Sequence, residues 1–539
     1  MRVGEVNLSS GSGFLKDYRE GKERCLPFLD YAFLDREKYK QRAAELLSRS
    51  FHREQLAEYF TEVHAQLSYH EEAAQQIEKL KQANSLVVVG GQQAGLLTGP
   101  LFTVYKAMSV LLIAKQQEKE LGLPVVPVFW IAGEDHDLDE IRYVYIEKNK
   151  KWKKHMLDDG GAANSASKLR LEQKQLRQWL RTVVASLPET AYTKTLLGKL
   201  EGFLEEGITY VSFFQKVMNW FFGHEGLLLL DAHDPLLRRL EIPYFERLIE
   251  EVEDVQAAQK RGAQAFAEAG YGTPVVTEAE NAHLFLEVNG ERKRLDYQDE
   301  SFVVRGSKLR FSKRELRELL QQEPERFSNN VVTRPLMQEW LLPVLAFVSG
   351  PGELLYWATL KEVFHHFDWK VPPVIPRYQG TIVPSAVQKW LDQFDYEIEP
   401  FLSGGMEQIR ETWLAEQNPY PVHEVAQQVR EQMLSYHRPL RALAEEMDVT
   451  LAALGEKNAL IIEDQLKFLE KRMAHFVRQQ HEHMLEKFAE AERWLFPLQH
   501  PQERVFHPIL FVNLLGIEEF RRLLSTNVTL DMRHKLFYL

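Results

Sequence analysis

Three short apolar runs constrain the fold of this chain more than any other sequence feature. They occupy residues 85–90 (SLVVVG), 125–131 (VVPVFWI) and 226–231 (GLLLLD), and each leads into glycines or polar residues. A continuous apolar run without alternation is typical of a strand buried on both faces, as in a parallel sheet. Because stretches with helical spacing separate the runs, the sequence predicts an α/β fold with a doubly wound parallel sheet and helices on its faces.

Two insertions interrupt this predicted core, which we expect to occupy residues 1–384. Residues 150–222 are mixed in composition and mostly helical in spacing. Residues 283–310 are instead β-rich, and they include a hairpin whose type I′ turn falls at Asn289-Gly290. We therefore predict one helical and one β-rich insertion in a single α/β core.

A charge-laced helical region follows at residues 385–500, and its apolar residues recur at spacings of three and four. After a break near residues 448–455 the pattern resumes, which predicts an antiparallel coiled-coil hairpin. Such a pair leaves apolar surface uncovered, so we expect it to hold a homodimer; packing on the protein's own core is the alternative. Residues 501–539 are expected to return to the core. The two seams comprise Val422, Val425, Val429, Met433, Tyr436, Leu440, Leu443 and Met447, and then Ile462, Leu466, Leu469, Met473 and Phe476.

Composition argues against several classes of protein. Lys and Arg number 66 against 78 Asp and Glu, a net charge of −12, so we expect no nucleic-acid partner. No signal peptide is recognisable and no run approaches the roughly 18–20 apolar residues that span a bilayer, so we expect no membrane partner. The single cysteine, Cys25, cannot form an intramolecular disulfide or a thiolate zinc site alone. We predict a cytoplasmic protein in which Cys25 is not catalytic.

A glycine-rich loop at residues 90–100 (GGQQAGLLTGP) lies between the first predicted strand and the next helix. Glycines let a ligand approach the backbone, and free amides at the start of a helix favour an anion. The loop is neither a G-x-G-x-x-G fingerprint nor a P-loop, because no lysine follows Gly99. A structural turn and a solvated lysine are the alternatives. The candidate substrate-binding residues here are Gln92, Gln93, Thr98, Gly99 and Lys106.

Four titratable residues, Glu134, Asp135, His136 and Asp137, directly follow the second predicted strand. Ligands of open α/β sheets bind beyond the carboxyl ends of the strands, so this acidic cluster is the strongest candidate active site. Repulsion among the carboxylates would raise some pKa values and keep His136 protonatable. We expect Asp135, His136 or Asp137 to act as general base and Glu134 to bind substrate. A carboxylate-bound divalent metal and an acidic helix cap are the alternatives.

Two further segments contribute candidate substrate-binding residues. The first is residues 330–356, where Arg334 suits bidentate binding of a carboxylate and a structural salt bridge is the alternative. This segment also contains a second glycine-rich loop, residues 349–353, which precedes a helix. The second is the polar stretch at residues 496–504, for which a plain hinge is the alternative explanation. No metal site is predicted. The candidates are Asn330, Arg334, Gly350, Gly352, Glu353, Tyr356, His500 and Arg504.

Four separated segments then support a resemblance: GQQAGLLTGPLFTVYKAMS at 91–109, FWIAGEDHDLDEI at 129–141, RPLMQEWLLPVLAFVSGPGELLYW at 334–357 and PLQHPQER at 497–504. Together with the coiled coil, they resemble the bacillithiol biosynthesis cysteine-adding enzymes, a family of cysteine ligases. The resemblance covers essentially the full chain. It implies a Rossmann-like core related to class I nucleotidyl transferases, with inserted connecting segments and a coiled-coil domain that mediates dimerisation.

The resemblance also implies a reaction. The carboxyl group of L-cysteine would be joined to the glucosamine amine of glucosaminyl malate, which yields bacillithiol in the last step of its biosynthesis. The loop with Gln92 and Thr98 matches the family's first core motif, the acidic cluster its second and the loop at 349–353 its third. The alternatives are a nucleotidyl transferase acting on another small-molecule acceptor and a non-catalytic coiled-coil scaffold with a degenerate core.

The sequence departs from the cysteine-activating synthetases that perform analogous chemistry. It has neither a His-Ile-Gly-His box nor a Lys-Met-Ser-Lys-Ser loop, and its lone cysteine makes zinc recognition of the substrate thiol unexpected. Amide formation requires an activated carboxyl group, so ATP or ADP is the expected nucleotide. The sequence does not show where that nucleotide binds.

Overall fold

The computed structural model describes residues 2–8, 13–160, 164–525 and 532–539. Within the segments expected at 150–222 and 501–539, residues 161–163 and 526–531 therefore lie outside the described part. The chain forms a first unit, residues 1–382 with 500–539, and a second unit, residues 383–499. Among the described helices, we find none with the length and hydropathy needed to span a lipid bilayer.

The strands all begin in the first unit. In chain order they are β1 (Arg2–Val6), β2 (Leu86–Gln92), β3 (Val125–Ile131), β4 (Tyr143–Lys148), β5 (Lys151–Met156), β6 (Leu228–Asp231), β7 (Asn281–Val288), β8 (Glu291–Gln298), β9 (Ser301–Val304), β10 (Arg310–Phe311), β11 (Phe327–Asn329), β12 (Val344–Ser349), β13 (Val374–Pro376), β14 (Gly380–Val383) and β15 (His534–Tyr538).

Helices of the first unit surround these strands. They are α1 (Phe14–Arg19), α2 (Arg36–Leu47), α3 (Arg53–Ala65), α4 (Glu71–Lys81), α5 (Phe102–Leu121), α6 (Gln173–Ala185), α7 (Thr193–Glu201), α8 (Tyr210–Phe222), α9 (Pro235–Glu250), α10 (Val252–Glu268), α11 (Lys313–Gln322), α12 (Thr333–Leu341), α13 (Pro351–Trp357) and α14 (Lys361–His366). After the second unit come α21 (Pro508–Leu515) and α22 (Ile517–Ser525). The helices between them belong to the second unit.

A five-stranded parallel sheet forms the centre of the first unit, in the order β13-β12-β2-β3-β6. Its first strand in the chain, β2, lies in the middle, and its apolar residues are buried as expected for a strand covered on both faces. The chain proceeds from β2 to β3 and β6 on one side, and later to β12 and β13 on the other. The predicted α/β fold with a parallel sheet is confirmed, and its switch point lies between β2 and β12.

A second, antiparallel sheet is built by the β-rich insertion, in the order β10-β9-β8-β7-β11. Asn289 and Gly290 have φ of 54° and 79°, so the predicted type I′ hairpin is confirmed. The sheet extends beyond the predicted 283–310, because β11 also pairs with β7. We call it the insertion sheet below.

The prediction of mostly helix at 150–222 is wrong at its start. Strands β4 and β5 form an antiparallel hairpin whose turn residues, Asn149 and Lys150, both have positive φ. The turn has no glycine, and β5 is charge-rich and largely exposed, so it lacks the apolar signal of a buried strand. Helices α6, α7 and α8 follow as predicted.

The second unit is helical. It contains α15 (Ser385–Gln393), α16 (Glu399–Leu402), α17 (Met406–Gln417), α18 (Val422–Met447), α19 (Val449–Gln480) and α20 (Glu482–Leu495). Ion pairs Arg441–Glu456 and Arg430–Glu470 show that α18 and α19 run antiparallel.

The break predicted near residues 448–455 is wrong in its length. Only Asp448 separates α18 from α19, and Gly455 lies inside α19. A β-carbon at Gly455 would lie 3.5 Å from Arg441 Cγ and 3.7 Å from Ala444 Cβ, so this glycine lies where the two helices are in close contact.

The apolar seam of this hairpin is largely exposed in the single chain. No residue of α18 is buried, and Leu440 and Leu469 are 62% and 56% exposed. The seam residues therefore do not find enough cover between the two helices themselves.

Candidate active site

A cleft of about 660 Å³ opens at the carboxyl edge of the parallel sheet. Residues that follow β2, β3 and β12 line one part of it, and residues of the insertion sheet and the start of α12 line the rest. Because the chain leaves β2 and β12 in opposite directions, a crevice is expected at this point. Its polar lining includes Gln93, Glu134, Asp135, Glu140, Asn281, Arg292, Asn329, Asn330, Arg334, Glu353 and Tyr356.

The ends of β3 and β6 approach each other closely beside this cleft. A β-carbon at Gly133 would lie 1.9 Å from Asp231 Oδ1 and 2.1 Å from Ser167 Oγ, so a larger residue would displace both. Ser167 Oγ donates to the Asp231 carboxylate at 2.8 and 2.7 Å. Burial raises the pKa of Asp231 to about 6. Gly133 thus allows the packing that places the acidic cluster at the sheet edge.

The first glycine-rich loop does not form the anion cradle that the sequence suggested. Gly91 lies within β2, and a β-carbon there would come 2.5 Å from the Trp130 carbonyl oxygen. Thr98 and Gly99 are buried and do not line the cleft. These glycines serve strand and loop packing, which the sequence could not distinguish from ligand contact.

Lys106 is buried and bonded inside the protein. Its Nζ donates to the Gly91 carbonyl oxygen at 2.7 Å and to Gln92 Oε1 at 3.1 Å, and it forms an ion pair with Glu353. Burial lowers the pKa of Lys106, and the Glu353 carboxylate opposes that shift. The expectation that Lys106 holds a ligand anion is corrected, because its charge already has a partner.

Glu353 joins the first and third predicted motifs. Besides Lys106, its carboxylate accepts a hydrogen bond from the Gly350 amide at 2.7 Å. Gly350 and Gly352 themselves do not line the cleft, and a β-carbon at Gly352 would meet no atom within 4 Å. The third motif therefore contributes side chains of α13 to the cleft and not a backbone cradle.

The acidic cluster divides into groups with different partners. Asp135 Oδ1 accepts from the amides of His136 (2.8 Å) and Asp137 (3.2 Å), while Oδ2 accepts from Gln93 Nε2 at 2.7 Å. Three donors stabilise the charged form of a carboxylate. Asp137 is exposed and does not line the cleft.

Glu134 is buried in an ion-pair network. Its carboxylate pairs with Arg238, which also pairs with Glu241. Since breaking such a network leaves a buried charge unpaired, Glu134 has a structural role even though it lines the cleft. This corrects its expected assignment to substrate binding alone.

His136 has a different electrostatic environment from the one expected. Arg292 Nη1 lies 3.3 Å from His136 Nδ1. Burial and the Arg292 charge lower the pKa of His136, and Asp135 and Asp137 only partly oppose this. The expectation that neighbouring carboxylates keep His136 protonatable is wrong, because an arginine more than 150 positions away in sequence lies against the ring.

Two guanidinium groups in the cleft have no carboxylate partner among the residues described. Arg334 donates to Gln338 Oε1 at 3.1 Å and to Tyr356 Oη at 3.2 Å. Arg292 donates to Ser328 Oγ at 2.8 Å and to the Asn329 carbonyl oxygen. These acceptors are neutral, and each guanidinium keeps further N–H groups for an anion.

Three other predicted residues have structural or remote positions. Asn330 lines the cleft, but its Oδ1 accepts from the amides of Val332 (2.9 Å) and Thr333 (3.1 Å) at the start of α12. His500 and Arg504 are exposed and do not line the cleft. In the same stretch it is Glu503 that is buried, where it pairs with Arg377.

Sequence reasoning missed several polar residues that line the cleft, among them Asn281, Asn329, Arg292 and Glu140. Arg292 lies on β8, in a hairpin whose charged residues look like an ordinary solvated strand. Glu140 lines the cleft, and its side chain forms no hydrogen bond or ion pair within the described ranges. Glu140 could have been found, since it ends the same acidic run as Asp137. Across the part of the chain that the structure describes, no three His, Cys, Asp or Glu residues are placed to hold a metal ion.

Comparison with known proteins matches the whole chain to one family. Residues 1–378 match the family description "Bacillithiol biosynthesis BshC, N-terminal Rossmann-like domain", and residues 380–539 match "Bacillithiol biosynthesis BshC, C-terminal coiled-coil domain". These matches confirm the Rossmann-like core and the coiled-coil domain.

Curated relatives give the same result over their full length. A protein of Shouchella clausii is 47% identical over 539 residues, all of both chains, and one of Halalkalibacterium halodurans is 46% identical over 528 residues, 98% of each. One of Bacillus licheniformis is 39% identical over 96% of each chain. All three carry the name "Putative cysteine ligase BshC", which supports the expected ligase class of enzyme. This chain belongs to the bacillithiol biosynthesis BshC family.

Proposed function

We propose that this enzyme joins the carboxyl group of L-cysteine to the glucosamine amine of glucosaminyl malate, the last step of bacillithiol biosynthesis. The relatives' name supports cysteine as one substrate, and the family description supports the pathway. The acceptor and the step follow from the family resemblance. The observation that carries the proposal is the pair of cleft guanidinium groups, Arg292 and Arg334, without carboxylate partners in the described residues.

The charges of the cleft suit these two substrates. Both carry carboxylates, which a guanidinium can bind through paired N–H donors. Both also carry an amine, and the carboxylates of Asp135 and Glu140 lie in the same cleft. We assign the malate carboxylates to Arg334 and Arg292, and the ammonium or attacking amine to the acidic side.

The attacking amine must lose a proton, so the reaction needs a base. Asp135 already accepts three hydrogen bonds, so protein donors occupy both oxygens of its carboxylate. Glu140 is free of such partners and lines the cleft, and Asp137 lies in the same loop. We propose that the base is Glu140, because Asp137 does not line the cleft. Glu140→Gln should lower turnover by about 10²- to 10⁴-fold.

A nucleotide is part of the proposal, because a free carboxylate does not form an amide spontaneously in water. ATP, with ADP or AMP as product, would supply the activated carboxyl group. The first glycine loop does not fit a phosphate cradle, since Gly91 packs against Trp130 and Lys106 pairs with Glu353. We therefore assign no nucleotide-binding role to that loop.

A homodimer is the proposed assembly, with the exposed seam of α18 and α19 covered by a second copy. The large exposed fractions of Leu440 and Leu469 support it, since a contiguous apolar face is unusual on a monomer. A cytoplasmic location remains part of the same proposal.

The direct test is mass spectrometry of products from the purified enzyme with cysteine, glucosaminyl malate and ATP. We expect bacillithiol with wild type, a loss of at least tenfold in Arg334→Met, and no loss in the control Arg314→Met, whose side chain is 78% exposed. A nucleotide transferred to the sugar without an amide product would instead indicate a nucleotidyl transferase.

A further inference from the structure

Arg292 is held in one orientation by three neighbours of the insertion sheet. Its Nε donates to Ser328 Oγ at 2.8 Å, and its Nη2 donates to the Asn329 carbonyl oxygen. Its Cζ lies 3.9 Å from the centre of the Phe285 ring, within the range of a cation–π contact. The remaining amino group, Nη1, is thereby directed at His136.

The contact between Arg292 and His136 has only one possible direction. A guanidinium donates hydrogen bonds and has no acceptor, so His136 Nδ1 must accept at 3.3 Å. In a neutral imidazole the proton must then be on Nε2. Because Arg292 occupies Nδ1, His136 could act as a general base only through Nε2, which would require the reverse arrangement with the proton on Nδ1.

Among the residues that the structure describes, no carboxylate accepts a hydrogen bond from His136 Nδ1, as the reverse arrangement would require. Asp135 Oδ1 is 3.9 Å from His136 Nδ1, too far for a hydrogen bond, and this oxygen already accepts two backbone amides. The charged groups facing the ring are Arg292 from the insertion sheet, and Asp135 and Asp137 from its own loop. Their combined effect with burial is a pKa below the ordinary value, so the ring is neutral at pH 7.

We infer that Arg292, in addition to its proposed contact with a malate carboxylate, positions His136 as a neutral imidazole with its proton on Nε2, which makes His136 a hydrogen-bond donor and not the base. His136 lies at the rim of the cleft, beside the lining residues Arg292 and Phe285. Its partner would be an oxygen of a carboxylate or an acyl carbonyl. The identity of that oxygen rests on the proposed function, whereas the protonation state does not.

The protonation state can be measured without any substrate. We would record nitrogen NMR spectra of the full chain with 15N-labelled histidine, and assign His136 by comparison with His136→Gln, since the chain has 18 histidines. We expect a protonated Nε2, an unprotonated Nδ1 and a pKa below about 6.5. A proton on Nδ1, or a charged ring at pH 7, would overturn the inference.

Variants of Arg292 and of a neighbouring arginine distinguish the specific contact with His136 from a general effect of positive charge. In Arg292→Met we expect both neutral forms of His136 to be populated and its pKa to rise towards its ordinary value. The matched control is Arg294→Met on the same strand, because Arg294 pairs with Glu278 and Asp296 and not with His136. It should leave the His136 signals unchanged. Unchanged signals in folded Arg292→Met would contradict the positioning role.

Kinetics provide a second, independent measurement. A glutamine side chain can donate a hydrogen bond but cannot exchange a proton near neutral pH. We expect His136→Gln to lose less than about tenfold in turnover and His136→Leu about 10²-fold, the usual effect of removing a donor to a developing charge. Equal, large losses in both would mean that His136 is the base. If neither wild type nor any variant forms product, the proposed function fails, while the NMR result still decides the inference.

Discussion

The two units of this protein differ in which groups they bury and which they expose. The first unit buries charges and pairs them, as in Arg42–Glu339, Arg238–Glu241 and Arg377–Glu503. The second unit exposes apolar side chains along α18 and α19. In each unit the exceptions to ordinary protein packing are informative: in the first, guanidinium groups that have no carboxylate partner among the described residues, and in the second, apolar seam residues that are exposed.

This contrast assigns a different task to each unit. In the first unit, paired groups such as Lys106 and Glu134 hold the sheet edge together, and the groups left over, such as Arg334, face the cleft. In the second unit, the ion pairs Arg441–Glu456 and Arg430–Glu470 across the hairpin remain accessible to solvent, and exposed pairs stabilise by only about 0–1 kcal/mol each. We therefore expect the seam to be stabilised by apolar burial in the proposed homodimer.

The largest expected effect is on association through the hairpin. Glutamates at Val429, Leu440 and Leu469 would each place an unpaired charge in an apolar interface. Together they should weaken the free energy of dimerisation by several kcal/mol. Because these side chains are exposed in one chain, helicity should be unchanged while the dimer dissociates. Light scattering and circular dichroism would measure the two effects.

A matched control adds the same charge elsewhere on the hairpin. Gln428, Gln432 and Gln465 are exposed polar residues outside the seam, and glutamate at all three should leave the dimer intact. An intact dimer of native stability in the seam variant would place the interface elsewhere.

The next effect concerns pairing in the first unit. Arg238→Met would leave the carboxylates of Glu134 and Glu241 buried without their cation. We expect a loss of about 3–5 kcal/mol in the free energy of unfolding, measured with urea. A change below about 1 kcal/mol, as expected for the exposed Arg314→Met, would show that the network does not stabilise the sheet edge.

A smaller effect follows from Asp231. Burial raises the pKa of Asp231 from 3.8 to about 6 in the folded protein, so its contribution to stability is present below pH 4 and is lost as pH rises through 6. Asp231→Asn does not titrate. The free energy of unfolding of Asp231→Asn, relative to that of wild type, should therefore rise by about 2–3 kcal/mol between pH 4 and pH 7. A constant difference across this range would contradict the raised pKa.

The smallest effect is expected at Cys25. The thiol is buried and donates to the Lys22 carbonyl oxygen at 2.9 Å, and burial raises its pKa. A buried thiol with a raised pKa is a poor nucleophile. Cys25→Ser should keep wild-type turnover, with a change in stability of about 1 kcal/mol. Loss of turnover in a folded Cys25→Ser variant would show that the Cys25 thiol takes part in catalysis although it is buried and hydrogen-bonded.

The sequence was sufficient where one segment carries the whole signal. The strands β2, β3 and β6 are uninterrupted apolar runs, and the turn at Asn289-Gly290 needs only its own two residues. The hairpin of β4 and β5 was missed because exposed, charged strands have no such local pattern.

The candidate site was less predictable because its contacts join distant segments. The pairing of Lys106 with Glu353 spans 247 positions and that of His136 with Arg292 spans 156. Sequence placed Asp135 beyond the end of a recognisable strand and identified Arg334 as suited to bind a carboxylate. The sequence could not show that Lys106 forms an ion pair with Glu353 or that Arg292 lies against His136.

The most direct test is whether Arg292 and Arg334, which have no carboxylate partner among the described residues, bind the substrate carboxylates. Calorimetric titration with glucosaminyl malate would compare wild type, Arg292→Met, Arg334→Met and the control Arg314→Met. A charged hydrogen-bonded contact is worth about 1.5–3 kcal/mol, so we predict a loss of affinity of about 10- to 100-fold for each cleft variant and none for the control. Wild-type affinity in both folded cleft variants would contradict the account.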